Sequence, residues 1–243
     1  MNDWSEVRIP HEIGPGFQPF GKWNGKVDFR NLGLFEKCMR IEAVNGILSD
    51  ANFTELALVK GFSLKGFEIT DTNFRRVQIP SGVFSSCQID GLRIFRSRLP
   101  DVQFKMCEIK GLEFSEKTEY SRVQFLDSSV RLTVTSGAEA VRLDVKNCDV
   151  ACLLAGGRGG YFYFANCTGN MFIQKGSHPS RLILKNSKVN FYYFVGEKST
   201  AQAKQILNEI NLTGLSRFES DQIRRIECPA DGLVNLNRVF EGG

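Results

Sequence analysis

The stretch from Leu64 to Phe114 reads LKGFEITDTNFRRVQIPSGVFSSCQIDGLRIFRSRLPDVQFKMCEIKGLEF, and an apolar residue recurs in it at every fifth position. A period of five fits neither the period of about 3.6 residues of an α-helix nor the two-residue alternation of an ordinary strand. It fits a coil in which four five-residue sides make one turn of about 20 residues and each side points one central residue inward. The stretch therefore predicts a β-solenoid. The central residues are Leu64, Ile69, Phe74, Ile79, Phe84, Ile89, Ile94, Leu99, Phe104, Ile109 and Phe114.

The longer period of about 20 residues continues beyond this stretch in both directions. The residues at one equivalent position are Val44, Leu64, Phe84, Phe104, Phe125, Val145, Phe164 and Leu184. Three residues further on, the repeats have Ile47, Phe67, Cys87, Cys107, Ser128, Cys148, Cys167 and Ser187. Two residues after the equivalent position, the later repeats have Asp127, Asn147, Asn166 and Asn186. We interpret both columns as structural ladders, in which small thiols and hydroxyls fill an inner corner and stacked Asx side chains satisfy turn backbone groups.

The repeats divide the chain into three segments. Residues 27–196 form the predicted solenoid, of about eight turns. Residues 1–26 and 197–243 are the predicted covers, because the two ends of a solenoid expose unpaired strand edges. In the C-terminal segment we predict one helix with an apolar stripe and a second helix over about 215–226. This stripe either covers the end of the solenoid or forms a homodimer interface, and it consists of Ala203, Ile206, Leu207 and Ile210.

Segments such as DANFTE (50–55) and DTNFRR (71–76) resemble the repeats of the pentapeptide-repeat family. That family has a central Leu or Phe, an Asp or Asn directly before it, and an Ala two places before it. The resemblance implies a right-handed quadrilateral β-helix. Beyond residue 121 the five-residue rhythm is lost while the 20-residue period persists. We therefore expect an all-β protein, a right-handed parallel β-helix of degenerate pentapeptide repeats with a small helical C-terminal cap.

The resemblance implies a protein that is not an enzyme, since most members of the family have no catalytic activity. The best-understood members mimic duplex DNA with an acidic rod, bind type II topoisomerases and confer resistance to drugs or toxins. Here residues 44–126 carry 11 basic and 10 acidic side chains, residues 127–196 carry 8 and 4, and the whole chain has a net charge of +4. A resistance factor that acts on a DNA topoisomerase is therefore the alternative function, and the charge disfavours it.

A column of basic and aromatic residues is the candidate binding site. It comprises Arg122, Arg142, Tyr161 and Arg181, which alternate with apolar residues that point inward. Guanidinium groups around a tyrosine can bind a phosphate, a carboxylate or an acidic protein surface. Arg158 lies close by in the sequence GGRGG (156–160), which we expect to form a turn between two sides of the solenoid. The simpler interpretation of the column is a solvated surface.

Metal and cofactor sites are not predicted. The seven cysteines lack the CxxC spacing of zinc sites, and the two histidines, His11 and His178, have no supporting motif. An odd number of unpaired thiols, without a secretory signal or an apolar stretch long enough to span a membrane, favours the cytoplasm. The segment GLRIFRSRL (91–99) is basic, but acidic residues are interleaved throughout this region. Nucleic acid is therefore an unlikely partner.

A carbohydrate-active β-helix enzyme is the remaining alternative. Such hydrolases need two carboxylates about 5–10 Å apart. One column contains Glu108 and Asp149 two turns apart, with no second carboxylate column beside them. We therefore predict no catalytic residues, and we expect a cytoplasmic, non-catalytic scaffold that binds another protein through its basic column.

Overall fold

The computed structural model describes residues 40–49, 52–54, 61–135, 139–155, 158–173, 179–194, 223–226 and 232–234. Within these ranges the chain forms strands and no helix, and therefore no helix that could cross a membrane. The strands are β1 (Arg40–Ser49), β2 (Asn52–Thr54), β3 (Gly61–Thr70), β4 (Asn73–Arg75), β5 (Ser81–Ser85), β6 (Gln88–Phe95), β7 (Asp101–Lys105), β8 (Glu108–Ser115), β9 (Glu119–Leu126), β10 (Ser129–Thr135), β11 (Glu139–Lys146), β12 (Asp149–Ala155), β13 (Arg158–Ala165), β14 (Thr168–Ile173), β15 (Pro179–Lys185), β16 (Lys188–Phe194), β17 (Ile223–Ile226) and β18 (Gly232–Val234).

The strands β1 to β16 pair in parallel, and each turn of the chain lies on the preceding turn. One outer face is formed by β5, β7, β9, β11, β13 and β15. Another is formed by β6, β8, β10, β12, β14 and β16. In this register Phe104 lies opposite both Phe84 and Phe125, as the 20-residue period predicts. The all-β parallel solenoid is therefore confirmed.

The first turn departs from the predicted register by one residue. Val44 was predicted to be equivalent to Leu64, but Ala43 lies opposite Leu64. A shift of one residue exchanges the two sides of a strand. Ile47, which the sequence placed in the inner column, is therefore 37% exposed, while Leu48 is fully buried.

The interior is a continuous column of apolar side chains with a row of aromatic rings. Phe84 and Phe104 are stacked with ring centroids 4.8 Å apart, and Phe104 and Phe125 with centroids 5.0 Å apart. All three rings are at least 99% buried. The ring spacing matches the distance of about 4.8 Å between hydrogen-bonded strands, so the backbone ladder and the ring stack have the same period.

The solenoid changes its cross-section between β8 and β10. Strands β6 and β8 each contain a corner, and Gly91 at the first of them has a φ of +87°, a conformation that favours glycine. Val130 and Leu132 of β10 lie opposite Ile109 and Leu112 of β8. Two residues of β8 therefore lie between these pairs, where β10 has one. The next strand, β12, follows β10 without a register shift. The side has lost its corner, which is the physical reason that the five-residue rhythm ends in this part of the chain.

The C-terminal end of the solenoid is covered by two antiparallel strands. Strand β17 pairs with β16, and β18 pairs with β15. The sequence predicted a helix over about 215–226, but residues 223–226 form β17, because the last turn of a solenoid offers unpaired backbone groups to which a strand can bond. The N-terminal cover (1–26) and the stripe from Ala203 to Ile210 lie outside the described residues.

Candidate protein-binding face

The column proposed from the sequence lies on one outer face. Arg142 is directly opposite Arg122 on one side and Tyr161 on the other, and Tyr161 is opposite Arg181. The three arginines are exposed and Tyr161 is partly buried. Arg158 lies apart from the column: it is the first residue of β13, opposite Glu139. The turn predicted for GGRGG is therefore strand from Arg158 onward.

We call the outward side of residues 122–126 in β9, 142–146 in β11, 161–165 in β13 and 181–185 in β15 the basic-aromatic face. Its residues alternate along each strand with the apolar residues of the core, as expected for a strand with one side in the core. Three of them, Gln124, Asp144 and Ala165, are themselves buried. It carries five cationic side chains and one carboxylate. Its members are Arg122, Gln124, Leu126, Arg142, Asp144, Lys146, Tyr161, Tyr163, Ala165, Arg181, Ile183 and Lys185.

Asp144 joins two of the arginines. The Nε atom of Arg142 donates to both carboxylate oxygens of Asp144, at 2.8 and 2.9 Å, and the Nε atom of Arg122 donates to Oδ2 at 3.2 Å. The Asp144 side chain is fully buried, while the two arginine side chains are 45% and 48% exposed. The carboxylate also raises the pKa of the Arg142 guanidinium, by hydrogen bonding and by its charge.

The sequence analysis did not single out Asp144. The order Arg142-Leu143-Asp144 could have indicated that Arg142 and Asp144 are neighbours, because residues two apart in a strand share a side. The other half of the arrangement, the bond from Arg122 one turn away, depends on the register and on the reach of the arginine side chains.

Two tyrosines lie side by side on β13, and each has a cation next to its ring. The Cζ atom of Arg142 is 5.3 Å from the ring centroid of Tyr161, and the Nζ atom of Lys146 is 5.9 Å from that of Tyr163. Contacts of this kind contribute about 0.5–1 kcal/mol at exposed sites. They hold the aromatic and cationic groups in one layer.

The basic segment 91–99 presents paired charges. Arg96 donates from Nε to Glu116 at 2.8 Å, and Arg98 lies 3.8 Å from Glu119. Each ion pair joins adjacent turns, so positive and negative side chains alternate on this part of the surface.

The small-residue column and the Asx column consist of stacked side chains. The hydroxyl of Ser128 accepts a bond from the backbone N–H of Cys107 at 3.0 Å. In the Asx column, Asn147 donates to Asp127 at 2.8 Å and Asn166 donates to Asn147 at 3.0 Å. The Asx side chains thus bond to one another, and the four residues share a φ between 47° and 53° that Asn and Asp tolerate well. The remaining members of the two columns are Cys87, Cys148, Cys167, Ser187 and Asn186.

Most of the thiols lie in environments that raise their pKa. Burial raises the pKa of Cys148 to about 11 and that of Cys152 to about 12. The hydrogen bond between the Cys87 and Cys107 thiols, together with burial, raises the pKa of Cys87, and the same hydrogen bond lowers the pKa of Cys107. In the described part of the chain, no group of three or more His, Cys, Asp or Glu residues could hold a metal ion.

Glu108 and Asp149 lie on the other outer face, on either side of Ser129. Glu108 is paired with Lys110 at 3.4 Å, and Asp149 accepts a hydrogen bond from the hydroxyl of Thr168 at 3.2 Å. The two carboxylates therefore have separate partners.

Comparison with known proteins gives matches among solved structures only. No family model matches the chain, and no curated protein does. The chain is similar to two trypsin-treated variants of QnrB1, a plasmid-mediated fluoroquinolone resistance protein, with 14% identity in both cases. The alignments cover 82% of this chain and 97% of QnrB1, and the TM-scores are 0.37 and 0.35. The fold assigned above rests on the strand pairing of this chain itself.

Proposed function

We propose that the chain is a non-catalytic scaffold whose basic-aromatic face binds an acidic surface of another protein. The single observation that supports this most directly is the bridge from Arg122 and Arg142 to the buried carboxylate of Asp144. The bonds engage the Nε atoms, and among the residues that the structure describes no bond to the Nη groups of Arg122 or Arg142 is present, so these groups can bind the carboxylates of a partner. A planar guanidinium is well suited to bind a carboxylate through two parallel bonds.

The bridge also lowers the entropic cost of binding. A long side chain loses about 0.5–1.5 kcal/mol of conformational freedom when an interface immobilises it. Asp144 already restricts the two arginines, and the Tyr161 ring lies against one of them. Arginine and tyrosine are also among the residue types that contribute most to protein–protein binding.

A protein partner fits this face better than a nucleic acid does. The column crosses four strands, and the three intervals of about 4.8 Å between them give a length of roughly 15 Å. Duplex DNA carries one negative charge per about 1.7 Å of its axis, so a tight complex needs many more cations in a row. Here a carboxylate lies within the cluster, and Asp101 lies opposite Arg122 on the next strand.

The test uses a variant that leaves the bridge intact. The double substitution Tyr163→Ala/Arg181→Glu removes one ring and reverses one charge on the face. Lys188→Glu is the matched control, because Lys188 is an exposed residue of the other outer face. From a nuclease-treated native lysate, we expect a protein that wild type and Lys188→Glu retain, and that the double variant retains about tenfold less.

The partner should also dissociate as the NaCl concentration rises to about 0.5 M, because salt screens the exposed charges. Equal retention by all three proteins, at equal unfolding midpoints, would contradict the proposal.

A DNA supercoiling assay tests the alternative of a topoisomerase-directed factor, which the basic character of the face disfavours. A cytoplasmic location and a homodimer formed by the C-terminal segment belong to the same proposal, and cell fractionation and the mass measured in solution test them.

A further inference from the structure

The change of cross-section between β8 and β10 creates a cleft on the second outer face. Its volume is about 190 Å³, enough for about six water molecules at roughly 30 Å³ each. It is bordered by β8, β10, β12 and β14. It lies on a different side of the solenoid from the basic-aromatic face. The lining side chains that concern us are Glu108, Lys110, Ser129, Arg131, Asp149, Ala151 and Asn170.

Small residues keep the middle of this cleft open. Ala151 occupies the position between Arg131 and Asn170 in one column. Gly169 has a φ of +130°, and a Cβ atom there would overlap the carbonyl oxygen of Val150. A side chain at Gly169 would therefore strain the backbone and clash with the backbone of β12.

The charges around the cleft are only partly compensated. Glu108 and Lys110 form an ion pair at 3.4 Å. Asp149 accepts a hydrogen bond from the hydroxyl of Thr168 and has no cationic partner among the residues that the structure describes. In the same part of the chain, Arg131 has no carboxylate within ion-pair distance, although it is half-buried.

We propose that this cleft binds a small zwitterion of the α-amino acid class. The ligand carboxylate pairs with the Arg131 guanidinium, and its ammonium group pairs with Asp149. Asn170 accepts a bond from Asn190, so its own N–H groups can donate to the ligand.

The other ligand classes fit the charges less well. A phosphate dianion could pair with Arg131, but it would be repelled by Asp149, which has no cationic partner among the described residues. A neutral sugar would leave the Arg131 charge without a counter-charge in a partly desolvated cleft, which is unfavourable. Only a ligand with both charges compensates Arg131 and Asp149 together.

The experiment titrates the full chain with L-alanine and two analogues by isothermal titration calorimetry. Propionate lacks the ammonium group, and L-alaninamide lacks the carboxylate. We expect saturable binding of L-alanine with a Kd below about 10 mM. Each analogue should have a Kd at least about ten times higher. The variants Arg131→Gln and Asp149→Asn should each weaken L-alanine binding at least tenfold, while Lys185→Gln on the basic-aromatic face should leave it unchanged.

Three results would overturn the proposal. The first is that neither L-alanine nor two further small amino acids, glycine and L-serine, bind at concentrations up to about 10 mM. The second is an analogue that binds as tightly as L-alanine, which would identify a site for one charge only. The third is unchanged affinity in Arg131→Gln and Asp149→Asn when circular dichroism shows that both are folded, which would place the ligand elsewhere.

Discussion

Arg142 holds Asp144 through its Nε atom, with both carboxylate oxygens within 2.9 Å. The two residues lie on the same strand and on the same outer side, two positions apart. The carboxylate is nevertheless fully buried, because an outward side chain can be covered by longer neighbours on the same face. An acidic residue in this place therefore organises a basic surface.

Removal of this carboxylate should weaken both the fold and the interaction. We expect Asp144→Ala to lower the free energy of unfolding by about 2 kcal/mol, because it removes charged hydrogen bonds at a buried position. The partner that wild type retains should be retained several-fold less, since the arginines lose their orientation. Urea unfolding and the lysate assay measure the two effects. Asp101→Ala, an exposed change on β7, should stay within about 0.5 kcal/mol of wild type, and an equal loss in both variants would refute the specific role of Asp144.

The register of the first turn predicts opposite outcomes for two neighbouring residues. Leu48→Asp should destabilise the protein by about 3 kcal/mol or more, because it places a carboxylate in the core. Ile47→Asp should cost less than about 1 kcal/mol, because Ile47 faces outward. Urea unfolding of the two variants decides between the registers, since the register predicted from the sequence requires the reverse order.

The Asx ladder can be tested at its central member. Asn147 has a φ of 53° and bonds to a side chain above and below it. Asn147→Ala loses these bonds and must also adopt a left-handed conformation, which costs about 1–2 kcal/mol for a residue with a Cβ. Asn147→Gly loses only the bonds, so it should be about 1 kcal/mol more stable than the alanine variant. Thermal unfolding measures the difference, and an alanine variant as stable as the glycine variant would show that the backbone strain is absent.

The buried thiols predict a loss of stability at alkaline pH. Burial raises the pKa of Cys148 to about 11 and that of Cys152 to about 12, above the value of about 8.5 for a thiol in an unfolded chain. The unfolded state therefore releases protons first, and stability falls as the pH rises from about 8.5 through these folded-state values, by about 1.4 kcal/mol per pH unit for each thiol.

Comparison of wild type with the double variant Cys148→Ser/Cys152→Ser isolates this effect, because lysines and tyrosines titrate in both proteins. Unfolding midpoints between about pH 8 and pH 10.5 should fall more steeply in wild type. Parallel curves for the two proteins would mean that these thiols do not contribute.

The sequence predicted those features that depend on local periodicity. The positions of Phe84, Phe104 and Phe125 follow from a period of five combined with one of about 20, because each inward residue must be apolar. The shift at Ala43 was not predictable in this way, since the first turn has apolar residues at both Ile47 and Leu48 and the period alone cannot choose between them. The column from Arg122 to Arg181 was predicted for two reasons. The alternation of inward and outward residues within a strand puts these residues on the outer side, and the repeat length puts them at equivalent positions of successive turns.

Features that depend on contacts between turns were missed. The bridge to Asp144 needs the reach of two arginines as well as the register. Strand β17 was predicted to be helical, because the sequence around Ile223 does not show the unpaired edge of β16 to which it bonds. Secondary structure at the end of a solenoid is decided by the neighbouring turn more than by local propensity.

The antiparallel direction of β17 and β18 has a consequence for assembly. A parallel solenoid with an open last turn can be extended by the first turn of another molecule, and repetition of that contact produces a fibre. Here the last strands of both outer faces are already paired with segments that run the opposite way. An incoming first turn would meet reversed hydrogen-bonding groups and could not continue the columns of stacked side chains, so the fold itself limits polymerisation at this end.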